Sequence, residues 1–208
     1  NVQHIWEAPN GLAFIKSVKG GKYRMYDANN QPLSEMEFDA LYLNDNDYVE
    51  GIYDNESYVL DSKGTIKKLE GMSEIRKAVN GRMAAKMDGK FGFIDTSGEI
   101  AIPFEYANVE NFKEGLAIVT NEQNKVGLID IHGKTIIPLE YNSILSYQDG
   151  FVWVSTDDDY QLLKDGEILV TEKGNSHSIV TSNSEVTIQI GGKKYDGYGN
   201  LISEQNSK

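Results

Sequence analysis

The segments KFGFIDTSGEIAIPFEY, residues 90–106, and KVGLIDIHGKTIIPLEY, residues 125–141, have nearly the same sequence and begin 35 residues apart. Each contains a β-type run, an Asp-x-x-Gly turn and a second β-type run that ends in Ile-Pro-x-x-Tyr. Self-similarity at a period of about 20–50 residues is typical of solenoids, propellers and other tandem arrays. The number and spacing of such segments therefore decide the fold.

The turn of this segment recurs along the whole chain. Its closing residue is Gly in five copies and Asn in the first, and successive copies are 33 to 35 residues apart: Asn30, Gly64, Gly98, Gly133, Gly166 and Gly199. Asp at the start of such a turn can accept hydrogen bonds from backbone N–H groups two residues on, and Gly closes the turn in a left-handed conformation. We interpret the four complete copies as structural hairpin turns, formed by Asp61, Gly64, Asp95, Gly98, Asp130, Gly133, Asp196 and Gly199.

A further β-type run precedes each hairpin, most clearly GLAIV at residues 115–119. Successive side chains of a strand point to opposite faces. One face is small or aliphatic in every copy, as a core requires, whereas the other mixes charge with large aromatic rings. Exposed aromatic rings suit sugar faces and peptide side chains. The candidate ligand face therefore consists of Trp153, Phe151, Tyr48, Phe14 and Arg82.

These patterns predict an all-β fold of six tandem repeats, each with three short antiparallel strands. One such hairpin cannot bury its own apolar face, and a stack of hairpins can. We expect an open, twisted β-hairpin array in a single domain, residues 1–202, with 203–208 as a C-terminal tail; a small closed β-propeller is the alternative. The predicted repeats are 11–46, 47–80, 81–114, 115–149, 150–181 and 182–202.

Composition excludes several classes of partner. The formal charge is −12 and the pI is about 4.7, which argues against nucleic acid, whose binders need clustered Lys and Arg. The absence of Cys excludes disulfides and thiolate metal sites. No apolar run approaches the ~18 residues of a membrane span, so we predict no membrane insertion. The chain begins with Asn1 rather than Met, which we interpret as a weak indication of export.

The sequence shows no constellation typical of catalysis or metal binding. The three histidines, His4, His132 and His177, are far apart, and the densest acidic stretches, residues 44–47 and 156–160, have the composition of loops. There is no spacing typical of a zinc site and no nucleophile motif. We therefore predict a protein that is not an enzyme, with no catalytic residue, no cofactor and no metal.

The third and fourth repeats resemble the WG-repeat family, bacterial β-repeats with a Gly-Leu-Ala strand, a Trp-Gly hairpin and an Ile-Pro-x-x-Tyr return. The resemblance is strong over residues 81–150 and weaker elsewhere. The Trp of the family is replaced by Phe91 in one copy and by Val126 in the next. The matching residues are Phe112 at the end of the third copy and, in the fourth copy, Gly115, Leu116, Ala117, Val119, Gly127, Ile129, Asp130, Gly133, Ile137, Pro138 and Tyr141.

The resemblance implies an all-β repeat protein, often on or outside the bacterial cell, without established catalytic residues. The function we expect is a non-catalytic scaffold that binds a protein or peptide at a bacterial cell envelope or exterior, although a cytoplasmic location stays open. The alternatives are a carbohydrate-binding module for cell-wall or host glycans and a purely structural spacer.

Overall fold

The computed structural model describes residues 5–7, 13–16, 20–27, 29–43, 48–61, 65–174, 177–182 and 185–204. Every regular element in these ranges is a β-strand, and antiparallel pairing of consecutive strands builds the sheets. The chain divides into two compact units, Asn1–Gly115 and Leu116–Lys208, called unit 1 and unit 2. The division lies at the boundary between the third and fourth predicted repeats.

Unit 1 contains three sheets, each formed by strands consecutive in sequence. Sheet 1 consists of β1 (Ile5–Glu7), β2 (Ala13–Lys16) and β3 (Tyr23–Tyr26). Sheet 2 consists of β4 (Ala40–Leu43), β5 (Tyr48–Tyr53), β6 (Glu56–Asp61) and β7 (Ile66–Lys68). Sheet 3 consists of β8 (Met72–Ser73), β9 (Arg82–Met87), β10 (Lys90–Asp95) and β11 (Ile100–Tyr106), and the short β12 (Asn108–Val109) follows it.

Unit 2 continues the same arrangement. Sheet 4 contains β13 (Leu116–Thr120), β14 (Val126–Asp130) and β15 (Thr135–Tyr141). Sheet 5 consists of β16 (Ser143–Gln148), β17 (Phe151–Ser155), β18 (Asp159–Lys164) and β19 (Glu167–Lys173). Sheet 6 consists of β20 (His177–Ser182), β21 (Glu185–Ile190), β22 (Lys193–Asp196) and β23 (Leu201–Glu204).

The predicted all-β array of tandem antiparallel repeats is confirmed, but sheets 2, 3, 5 and 6 have four strands where the sequence predicted three. In sheets 2, 3 and 6 the additional strand is β4, β8 or β20, at the start of the sheet. In sheet 5 it is the segment after the Ile-Pro-x-x-Tyr motif, which the sequence predicted only as a return to the next repeat. In sheet 5 this segment, β16, pairs with β17 from Ser143 opposite Ser155 to Gln148 opposite Phe151. Each of these sheets therefore begins with the end of the preceding repeat.

The hydrophobic cores lie between neighbouring sheets. In unit 2, Val152 and Val154 of β17 pack with Leu128 and Ile137 of sheet 4. On the opposite face of the same strand, Trp153 packs with Ile188 of sheet 6 and its neighbours. Unit 1 repeats this arrangement: β6 places Leu60 in the core shared with sheet 1 and Val59 in the core shared with sheet 3. An inner sheet is therefore covered on both faces.

Sheet 6 differs from the inner sheets because its second face is mostly polar. Ile188, Ile190 and Tyr195 are buried on the face that packs with Trp153. On the other face Ser178 lies opposite Gln189, and both side chains are exposed. This polar face needs no further sheet to remove it from water.

The turns owe their shape to the carboxylate at their first position. Asp130 Oδ1 accepts hydrogen bonds from the backbone N–H groups of His132, at 2.8 Å, and Lys134, at 2.9 Å. Gly133 follows with a φ of 82°. The same pair of bonds forms at Asp95 and Asp196. The side chain of Asp61 and the whole of Gly64 lie outside the described residues.

A glycine in the middle strand of the hairpin allows two strands to cross closely. A Cβ at Gly127 would lie 2.5 Å from the carbonyl oxygen of Ile137 and 3.0 Å from the backbone nitrogen of Leu139. The register between β14 and β15 shifts at this point, where the Pro-containing return passes over the glycine. Gly92 meets the same approach from Pro103 in sheet 3. This crossing explains on physical grounds why the repeat keeps its glycine after the aromatic position.

We expect Gly127→Ala to lower the free energy of unfolding by about 1–3 kcal/mol, because the added methyl group forces backbone apart rather than a flexible side chain. Urea unfolding followed by circular dichroism measures the change. Gly197→Ala is the matched control, since a Cβ there would meet Val186 Cβ at 3.5 Å, an ordinary contact. Equal destabilisation by the two substitutions would contradict the close-crossing explanation.

We expect the turn carboxylates to make stability depend on acidic pH. Burial alone would raise the pKa of Asp130, but the hydrogen bonds from the backbone of His132 and Lys134 outweigh it and hold the pKa below the ordinary value of 3.8. Stabilisation by a lowered pKa is fully present above the unfolded value and is lost as the pH falls through the folded value. The stability difference between wild type and Asp130→Asn should therefore narrow as the pH falls from 7 to about 2.

Urea unfolding of both proteins at several pH values measures this narrowing. The chain contains its own precedent for the neutral side chain: Asn121 accepts the same two bonds, from the backbone N–H groups of Gln123 and Lys125. An asparagine side chain in place of Asp130 can therefore keep the turn closed while the charge is removed. A stability difference that is the same at pH 7 and at acidic pH would show that the charge of Asp130 contributes nothing.

Candidate functional site

Trp153, the largest ring of the predicted ligand face, is fully buried. The exposed fraction of its side chain is 0%, and its ring centroid lies 5.5 Å from that of Tyr195. The variable face of β17 was interpreted as a surface, but sheet 6 covers it. Trp153 is therefore a core residue and offers no ring to a glycan or peptide.

Phe151 lies on the same face of β17 and is only half buried. Its ring contacts Tyr198 edge to face at a centroid distance of 5.4 Å, and Lys164 Nζ lies 4.4 Å from its centroid. The Tyr198 hydroxyl donates to Asp149 Oδ2 at 2.9 Å and accepts a bond from Gln148 Nε2 at 2.5 Å. These groups satisfy one another, so this cluster joins sheet 5 to sheet 6 rather than presenting free polar groups.

The remaining members of the predicted face do not complete a site. Arg82 of β9 lies opposite Asp95 of β10, which begins a structural turn. Burial alone would raise the pKa of Asp95, but the hydrogen bonds from Ser97 and Glu99, together with the charge of Arg82, lower it. Arg82 Nη1 also donates to the carbonyl oxygen of Gly81 at 3.1 Å. The side chains of Tyr48 and Phe14 lie outside the described residues.

A second polar cluster joins β19 to β22. Lys193 Nζ lies 3.0 Å from both carboxylate oxygens of Glu172, and the hydroxyl of Tyr195 donates to the same carboxylate. Burial alone would raise the pKa of Glu172, but Tyr195 and Lys193 outweigh it and lower that pKa. Burial, with the carboxylate, raises the pKa of Tyr195. The carboxylate is thus held ionised and fully bonded, which suits a structural link.

Several strongly exposed apolar side chains of unit 2 lie on the last strands of sheets 4, 5 and 6. They occupy equivalent positions, the second and third residues after the turn glycine. The exposed fractions are 54% for Ile168 and Leu169 of β19, and 53% and 51% for Leu201 and Ile202 of β23. Ile136 of β15 is exposed at the same position in sheet 4. We call these five residues the outer-strand strip.

The sequence analysis missed this strip because it treated the run after each turn as an ordinary strand. Two consecutive apolar residues after the turn glycine were the available signal. Consecutive residues point to opposite faces of a strand. Two consecutive apolar residues on the outermost strand of a sheet therefore need a cover on both faces. No other part of the described chain covers Ile168 and Leu169 of β19 or Leu201 and Ile202 of β23.

Unit 1 has an open groove next to the end of β5. Its volume is about 430 Å³, and Tyr53 forms one wall. Because the lining combines an aromatic ring, a thioether and several charged groups, we name it the Tyr53 groove. It is lined by Lys22, Ser34, Glu35, Met36, Glu37 and Tyr53.

Within the described ranges, no group of three or more His, Cys, Asp or Glu side chains is arranged to hold a metal ion. Of the histidines predicted to be isolated, His132 lies in a turn, and His177 Nδ1 lies 3.0 Å from the hydroxyl of Tyr160. The same part of the chain contains no helix with the length and hydropathy of a membrane span.

Solved structures similar to this chain include several β-repeat proteins of low identity. BamB from Moraxella catarrhalis is 17% identical, with 95% of this chain and 71% of that chain covered and a TM-score of 0.40. Hsv2p from Kluyveromyces lactis is 10% identical, with coverage of 94% and 74% and a TM-score of 0.41. The C-terminal WD40 domain of Sif2 is 11% identical, with coverage of 94% and 66% and a TM-score of 0.39. Likenesses at this level say nothing about function.

A sequence comparison with curated proteins gave no match. The model of the WG containing repeat, in contrast, matches residues 91–124 and 127–160. The first match begins at Phe91, which stands at the position of the family's Trp. Its ring is buried, and the guanidinium of Arg76 lies 4.8 Å from its centroid. Residues 91–124 and 127–160 are therefore similar to two tandem copies of the WG containing repeat, which covers about a third of the chain.

Proposed function

We propose that the protein is a non-catalytic scaffold that binds an extended segment of a partner protein along the outer-strand strip of unit 2. The observation that carries the proposal is the exposure of Ile168, Leu169, Leu201 and Ile202 at equivalent positions of two successive sheets. Apolar residues scattered singly on a surface need no explanation, whereas apolar residues grouped together mark interaction sites.

The backbone of the outer strands supports the same mode of binding. β19 and β23 are each the last strand of their sheet. The edge of a sheet presents backbone N–H and C=O groups to which an extended segment can be added as a further strand. In that mode the main chain supplies affinity, and pockets for alternate side chains supply specificity. The exposed pairs Ile168–Leu169 and Leu201–Ile202 provide apolar contacts on such an edge.

Charge narrows the class of partner. The formal charge of −12 repels polyanions, and an extended segment that is neutral or basic meets no such repulsion. The polar clusters of unit 2 support a scaffold rather than an enzyme, because Glu172, Asp149 and Asp130 are all engaged in links or turns. We further propose that the scaffold acts at a bacterial cell envelope or exterior, where WG-repeat proteins are often found.

We expect Leu169→Lys and Ile202→Lys each to weaken binding of a selected peptide at least about tenfold, as for a residue near the centre of an interface. Peptides of extended sequence are selected on the wild-type chain from a display library, and fluorescence anisotropy then gives their dissociation constants for each variant. Val180→Lys is the matched control, because Val180 is 56% exposed on β20, at the opposite edge of sheet 6. It should change the constant less than about twofold.

Selected peptides that bind both variants as tightly as they bind wild type would overturn the proposal, because the strip would then make no contact with them. The same would follow if Val180→Lys weakened binding as much as Leu169→Lys. Circular dichroism of each variant shows that the fold is retained, which is expected since all three side chains point into solvent.

A further inference from the structure

We propose that the Tyr53 groove of unit 1 is a binding site for a neutral saccharide of about two sugar rings. The groove lies in the other unit from the outer-strand strip, so this inference does not rest on the proposed peptide binding. It also differs from the site that the sequence suggested for a glycan, since Trp153 is buried and the groove uses none of the predicted face.

The size and lining of the groove suit a small polar ligand. Its volume of about 430 Å³ lies within the usual range of about 300–1,000 Å³ for small-molecule sites. Tyr53 and Met36 contribute apolar surface, whereas Lys22, Ser34 and Glu35 contribute donors and acceptors. A sugar ring needs both, because its C–H groups form apolar faces and its hydroxyls form a polar rim.

The aromatic wall is held in a fixed orientation. Tyr53 contacts the ring of Tyr58 at a centroid distance of 6.3 Å and an angle of 77°, and Tyr58 contacts the buried Phe38 in the same edge-to-face manner. The exposed fraction of Tyr53 is 37%, so part of its ring remains accessible. A rigid ring loses little conformational freedom when a sugar face packs on it.

The polar groups of the groove are also ordered before a ligand arrives. Lys22 Nζ lies 2.8 Å from Asp39 Oδ1, and the backbone N–H of Asp54 donates to Asp39 Oδ2 at 3.0 Å. Arg24 Nη2 lies 2.5 Å from Glu37 Oε1. Lys has three donors, so Lys22 keeps donors for ligand hydroxyls after it binds Asp39. Preorganised groups lower the ordering cost of binding.

The charges favour a neutral ligand. Each cation is paired with an acid, Lys22 with Asp39 and Arg24 with Glu37, and Glu35 adds a further negative charge to the lining. This arrangement repels acidic sugars and phosphates. A cationic side chain would compete with Lys22, whose Nζ already lies 5.6 Å from the centroid of the Tyr53 ring.

The ionised state of the groove is stable near neutral pH. The hydrogen bond between Lys22 and Asp39 raises the pKa of the ammonium group and lowers the pKa of the carboxyl group, so the pair stays charged. A neutral saccharide carries no charge for salt to screen. Its dissociation constant should therefore change little with salt concentration.

The test is a titration of the full chain, followed by NMR and calorimetry, with cellobiose, N,N′-diacetylchitobiose and maltose at concentrations up to about 10 mM, above the millimolar constants expected of a small open site. At least one disaccharide should bind saturably. Tyr53→Ala should weaken it about tenfold or more. Tyr42→Ala, which removes a ring that is 55% exposed in the same sheet but outside the groove, should change affinity less than about twofold.

Two further variants keep the outcome interpretable. Tyr53→Phe retains the ring and its contact with Tyr58, and should preserve most of the affinity even where Tyr53→Ala disturbs local packing. Leu169→Lys, in unit 2, should leave disaccharide binding unchanged. Loss of peptide binding and loss of saccharide binding are therefore separable, and one proposal can fail without the other.

Three results would overturn the inference. The first is that no disaccharide binds the wild-type chain. The second is that Tyr53→Ala binds as tightly as wild type. The third is that a tetra-arginine peptide alone binds at the groove and weakens steeply as salt rises, which would assign the site to cationic side chains instead.

Discussion

The fold depends on one requirement: the middle sheet of each unit, sheet 2 or sheet 5, must have both of its faces covered by another sheet. A middle sheet standing alone would leave the apolar residues of both its faces in water, which is unfavourable. In β17 the consecutive residues Val152, Trp153 and Val154 are all buried, because sheet 4 covers one face of sheet 5 and sheet 6 covers the other. Burial of each such side chain contributes about 1.5–3 kcal/mol, so the stacking of sheets stabilises unit 2 substantially.

The same requirement explains which surfaces remain for binding. Apolar residues on the inner strands pack in the cores between sheets. Their polar neighbours form the turns and the side-chain contacts between strands. At the outermost strands the cover ends, and Leu169 and Ile202 remain in water. Because the repeat places these residues after every turn glycine of unit 2, the exposed strip has the period of the fold itself. A surface of this kind suits a partner that is extended along the sheets.

The local features of the fold could be read from the sequence, and the features that depend on neighbouring sheets could not. The turn at Asp130 is determined by residues within a few positions of it, so its hydrogen bonds follow from the pattern Asp-x-x-Gly. The burial of Trp153 depends on a sheet formed more than 20 residues later, and an alternating pattern does not identify which face will be covered. Asn121 forms the same turn without a following glycine and therefore escaped the search.

The least regular part of the repeat array is also where the groove lies. In sheet 1 the described residues 29–39 after β3 form a loop in place of a last strand, and this loop pairs with β3 through bridges between Tyr26 and Pro32 and between Tyr23 and Phe38. Phe38 anchors this loop in the core, and the residues before it line the groove with Met36 and Glu35. A regular outer strand would continue the sheet along this edge. Loss of the repeat pattern at this point therefore leaves room for the groove, whereas the regular copies place the proposed binding surface on their outer strands.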